Sequence, residues 1–128
     1  MPKLNKLVRD YIPNFITNRG GRVKYIHLNE QDEFIKALVS KMKEEVDEFD
    51  KDRNITELAD IYEVFMALVS ASGFCMNEIM NVVTTKRSSN GGFDNRIFLL
   101  EYSEKDESSD NSFIDERDLK AYKSERLL

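Results

Sequence analysis

Two stretches of helical periodicity, separated by a short break, constrain this chain more than any other feature. From about Glu30 to Asp50 the apolar residues Phe34, Ile35, Leu38, Val39, Met42, Val46 and Phe49 recur with helical spacing. That is the pattern of a helix with one buried face. The segment "KDRN" interrupts it. Asn54 then suits an N-cap, with Glu57 three positions on as in a capping box. The second helix is predicted to run from there to about Ser72 and to stop at Gly73. It carries Leu58, Ile61, Tyr62, Val64, Phe65, Met66, Leu68 and Val69 on nearly every side. Such a helix belongs at the centre of a bundle or in a subunit interface. The short connection makes the two helices antiparallel neighbours.

Smaller elements flank this pair. "IPNFITNRGG" reads as a short helix with Pro13 in its first turn and Gly20–Gly21 at its end. "RVKYIHL" (Arg22–Leu28) and "RIFLLEY" (Arg96–Tyr102) alternate as strands do and are expected to pair. Asn29 is the expected N-cap of the first long helix. A further helix is predicted from about Met76 to Ser89, ending at Gly91–Gly92. The organisation expected is a domain over residues 1–102, followed by an acidic linker and tail over 103–128, whose end "FIDERDLKAYKSERLL" is weakly amphipathic and helix-prone.

Composition excludes several function classes. The net charge of -5 argues against nucleic acid as the main partner. No apolar run reaches membrane-spanning length, and the N-terminus is too polar for a secretion signal. With Cys75 alone there is no internal disulfide, which points to a reducing cytoplasm. One Cys and one His supply neither a zinc set nor the Glu-x-x-His pairs of di-iron bundles, and His27 falls on a predicted strand.

The chemistry-bearing pattern is acidic. Glu45 with Glu48, and Glu57 with Asp60, are each spaced i, i+3 on the two long helices. At about 100° per residue, with the apolar stripe centred near Met42 and Val46, Glu45 sits on the shoulder of the stripe and Glu48 farther round on the same side. Glu44 points away, toward water. Glu57 and Asp60 continue into Val64, Ala67 and Ala71 along one face. No Lys or Arg lies between Asn54 and Thr85, although Glu57, Asp60, Glu63 and Glu78 do. Carboxylates near a core without basic partners are costly unless a cation arrives. Hard oxygen ligands on facing helices suit Mg²⁺ or Mn²⁺. The plainer alternative is a solvated acidic face, with Glu57 as a capping residue and Asp60 paired to a distant lysine.

"EEVDE" followed by "ELAD" resembles the E-E-x-x-E … E-x-x-D signature of the MazG-like all-α nucleoside triphosphate pyrophosphohydrolases. "NKLVRDYIP" is similar to the N-K-L-V-R-D-K-I-P opening of a small single-domain, phosphoribosyl-ATP pyrophosphohydrolase-like subgroup, and "KRSSNGGF" to its K-R-x-x-R-G-G-F segment. The resemblance spans roughly Lys3 to Leu100. It implies an all-α, MazG-like bundle of four or five helices, to which the two strand candidates add a short two-stranded β element. It also implies metal ligands at Glu45, Glu48, Glu57 and Asp60, Mg²⁺ dependence, cleavage of a nucleotide to monophosphate and pyrophosphate, and a homodimer or tetramer. Tyr11 and Asn90 depart from the subgroup, standing where Lys and Arg are usual.

On this reading metal held by the carboxylates polarises the α-phosphoryl group. Glu45 or Glu48 is the candidate general base. Lys6, Arg9, Lys86 and Arg87 are candidates for neutralising phosphate oxygens, set against a plain solubility role for each. Two other classes stay open: a catalytically weak nucleotide binder or sensor, favoured by the cations lost at Tyr11 and Asn90, and a structural bundle acting through protein contacts.

Overall fold

A computed structural model describes residues 4–104. Its elements are α1 (Ile12–Asn18), α2 (Gln31–Lys51), α3 (Ile55–Ala71) and α4 (Met76–Asn90). The chain is all-α, with four helices among the described residues. It divides between Gly91 and Gly92, and all four helices lie on the N-terminal side of that boundary. The helix proposed for the C-terminal tail lies outside the described residues. No single described helix is long and apolar enough to cross a membrane.

The expected β element is absent from the described residues: Arg22–Leu28 and Arg96–Tyr102 are both irregular. Alternation reports a propensity for half-buried pleated surface, whereas a strand also requires a hydrogen-bonded ladder, and a lone two-stranded ribbon is marginal in water. Tyr25 and Ile26 are left largely exposed.

Helix boundaries follow local chemistry. At the start of α3 the Asn54 side chain accepts from the Glu57 backbone N–H at 3.1 Å. The capping box stops there, because the Asn54 N–H donates to the Asp52 carbonyl instead. The Glu57 carboxylate is thereby not committed to the cap. At the far end, Gly73 at φ +84 lets Phe74 N–H reach Val69 O and Gly73 N–H reach Ser70 O, closing a Schellman motif. Gly20 ends α1 the same way at φ +83. The N-cap of α2 is Glu30, not Asn29, and its side chain makes no capping bond. The next residue, Gln31, donates from its side chain to the Ala71 carbonyl at the end of α3, satisfying an acceptor the helix leaves orphaned. Cys75 caps α4 in a reciprocal box with Glu78.

The Gln31–Ala71 contact brings the start of α2 to the end of α3. Glu45 meets Glu57 and Asp60 at the opposite end. The two helices are therefore antiparallel, with Asp52–Asn54 as the hairpin turn. The core between them is small: Leu38, Val64 and Val69 are the buried apolar residues among those described. In α2 the buried line passes through Leu38 and Glu45, while Val39 and Val46 remain exposed. The stripe is thus rotated from its expected centre near Val46, because a helix hairpin covers only part of a broad apolar face. Leu38 is 3 % exposed, so Leu38→Ala should lower unfolding free energy by about 2–5 kcal/mol. Asn54→Ala, which removes only a cap, should cost about 1 kcal/mol. Denaturant unfolding of both variants checks the ranking.

Candidate metal centre

The hairpin geometry brings together carboxylates that are distant in sequence. Oxygens of Glu45, Glu57 and Asp60 all lie within 4.8 Å of one another. Glu45 comes from the second half of α2, and Glu57 and Asp60 from the first turns of α3. Glu45 is only 9 % exposed, and the other two are half-buried. Glu48, expected as a fourth ligand, is exposed and stands outside this trio. Its charge still bears on Glu57. Partial burial, then the charges of Asp60, Glu48 and Glu45, push the Glu57 carboxyl above its ordinary range.

Two expectations about charge are corrected. The cluster does have cationic partners, supplied from outside α3. Lys41 pairs with Glu45 at 3.2 Å, one turn back on the same helix. Arg9 pairs with Asp60 at 2.8 Å from 51 residues away. Glu44, assigned to water from the helix wheel, is half-buried and bonded to Lys6 at 3.1 Å, with Lys41 at 3.4 Å. The wheel treats a helix in isolation, and the N-terminal segment that reaches Glu44 lies beyond its scope. The Lys6 hydrogen bond, followed by the charge of Lys41, holds the Glu44 carboxyl below its ordinary range despite some burial.

The other proposed cations lie elsewhere. Lys86 and Arg87 are exposed in the last part of α4, and neither forms an ion pair among the described residues. The N–H of Gly91 donates to the Arg87 carbonyl and is spent on ending the helix. The sequence reading missed Lys41 as part of the site, although its i, i+4 spacing to Glu45 was available.

Three hard oxygen donors converging on one point, one of them buried, suit a hard divalent cation bound through carboxylates and water. Thiolate and imidazole donors are absent from the cluster, which argues against softer metals. Comparison with protein-family models, with curated proteins and with solved structures finds no match for this chain.

The raised Glu57 carboxyl has a direct consequence for stability. A carboxyl that binds its proton more tightly folded than unfolded disfavours folding wherever it is ionised, and the penalty disappears as pH falls through the ordinary carboxylate range. Glu57→Gln should therefore raise the metal-free Tm at pH 7, with the gain vanishing on acidification. Thermal unfolding at a series of pH values, with chelator present, measures it.

Proposed function

We propose that this chain is a MazG-like, divalent-metal-dependent nucleotide pyrophosphohydrolase. The supporting observation is the convergence of Glu45, Glu57 and Asp60 oxygens across two helices. These are residues that the resemblance marks as ligands, and the geometry assembles them without reference to it. The substrate class is a nucleoside triphosphate, cleaved to a monophosphate and pyrophosphate.

The ligands would be Glu45, Glu57 and Asp60, with Mg²⁺ or Mn²⁺ as the ion. Such an ion, when bound, supplies charge neutralisation on the phosphates and a water of lowered pKa. Glu48 is better placed than Glu45 to take that water's proton. It is exposed, next to Glu57 and without an ion pair among the described residues, whereas Glu45 is buried and held by Lys41. A base needs both a free lone pair and access to its water. Lys6 and Arg9, bound to Glu44 and Asp60, are more exposed than Lys41 and would be the positive charges open to phosphate oxygens. The localisation in keeping with this function is cytoplasmic.

A nucleotide-binding sensor is the second reading. It is favoured by a specific feature: Lys6 and Arg9 are engaged by the protein's own carboxylates, while Tyr11 and Asn90 replace two cations of the subgroup pattern. A pyrophosphate-release assay over a nucleotide panel, with Mg²⁺, Mn²⁺ or chelator, separates the two readings. Activity that requires metal supports the enzyme, and metal-dependent binding without turnover supports the sensor. Asp60→Asn should reduce turnover by about a hundredfold or more. Glu44→Gln, which removes only a partner of Lys6 and Lys41, should reduce it by less than about tenfold.

A homodimer, or a tetramer built from dimers, completes the proposal. Leu58 and Tyr62 on α3 are 50 % and 52 % exposed, and Val39 and Val46 on α2 are also uncovered. So much apolar surface on central helices calls for a partner, and a second copy is the simplest one. Light scattering should give at least twice the 14.9 kDa chain mass, and Leu58→Glu should shift it toward the monomer.

A further inference from the structure

The segment before α1 spans both helices of the hairpin. Lys6 is bonded to Glu44 on α2, and Arg9 to Asp60 on α3. Leu7, between them in sequence, is half-buried. The Arg9 carbonyl accepts from Ile12 N–H, so the turn entering α1 fixes the backbone from which the guanidinium reaches out. Among the described residues α1 itself makes no close backbone approach to the other helices. Two ion pairs and the half-buried Leu7, rather than packing of α1, thus tie this end of the chain to the hairpin. One of their acceptors, Asp60, belongs to the acidic trio, and the other, Glu44, does not.

We propose that the N-terminal segment is a strap whose Arg9 clasp occupies the acidic trio in the absence of metal, and that a divalent cation displaces it from Asp60. The inference rests on the metal-dependent reading above and deepens it. Arg9 supplies a positive charge where the trio would otherwise repel itself. A divalent ion on the same carboxylates removes the reason for the pair, since a guanidinium held against them would then face a like charge. In this pair Arg9 is 58 % exposed and Asp60 32 %, so solvent reaches the contact, its hold is weak and exchange is cheap. Lys6–Glu44 lies one residue off the trio and persists. The strap consequently stays tethered at one end while the Arg9 guanidinium is freed at the rim, where phosphate oxygens of a nucleotide would enter. Lys41 can turn from Glu45 to Glu44, with which it already pairs, without leaving its place on α2.

Calorimetric titration with Mn²⁺ tests this on the full chain. Wild type, Arg9→Gln and Lys36→Gln are compared at one ionic strength. Lys36 pairs with Asp32 at the start of α2, outside the cluster, and serves as the charge-matched control. Arg9→Gln should bind Mn²⁺ about two- to fivefold more tightly than wild type, the range an exposed ion pair contributes. Lys36→Gln should match wild type. Nuclear magnetic resonance of the Arg9 guanidinium in wild type gives a readout that needs no variant: its nitrogen resonances should move toward those of a free arginine side chain once Mg²⁺ is added. Equal or weaker Mn²⁺ binding by Arg9→Gln, or an unmoved Arg9 guanidinium resonance, overturns the strap while leaving the metal centre intact. Wild type that binds no Mn²⁺ overturns both.

Discussion

The antiparallel contact of α2 with α3 is the constraint on which the rest of the structure depends. Three residues of turn, Asp52–Asn54, and one side-chain cap from Asn54 fix where α3 begins. Leu38, Val64 and Val69 hold the helices together, and Gln31 ties the open end to Ala71. With both ends located, the register along the hairpin is set. Register determines which residue of α2 faces Glu57 and Asp60, and that residue is Glu45. A one-residue shift in the phase of α2 would rotate Glu44 or Val46 toward the trio by about 100° and dissolve the cluster.

The legible part of this fold was the part encoded in local chemistry. The start of α3 followed from Asn54, and α4 begins at Met76, where its expected bounds put it. Glu45 on the inward side followed from helical spacing alone. The pairs Lys6–Glu44 and Arg9–Asp60 join residues 38 and 51 positions apart, and no periodicity reports such contacts. They overturn the impression, drawn from a basic-free interval, that the carboxylates are unaccompanied. The two strand candidates failed for a related reason. Alternation is local, but the ladder that makes a strand is not.

Glu57 illustrates how the cap and the site share one residue. A Glu at the third position of a helix ordinarily reaches back to the N-cap N–H. Here that N–H is taken by the Asp52 carbonyl, and the backbone N–H of Glu57 alone serves the cap. The carboxylate is therefore left to join Glu45 and Asp60. The local turn geometry, not a distant contact, releases it. A cap and an acidic cluster would otherwise compete for the same oxygens.

Helix dipoles act unequally on the two halves of the cluster. Glu57 lies in the first turn of α3, where exposed N–H groups stabilise negative charge. Glu48 lies in the last turn of α2, where the dipole disfavours it, and Glu45 lies one turn earlier in a buried position. Lys41 offsets part of the cost of charge on the buried Glu45, and Glu48 stands in solvent. Asp60 has Arg9. Each carboxylate thus has its own compensation, yet partial burial and then the neighbouring charges still hold the Glu57 carboxyl above its ordinary range. The geometry that carries the metal proposal is therefore the meeting of the buried Glu45 with Glu57 and Asp60 across two helices, each charge offset locally and none removed from the common point.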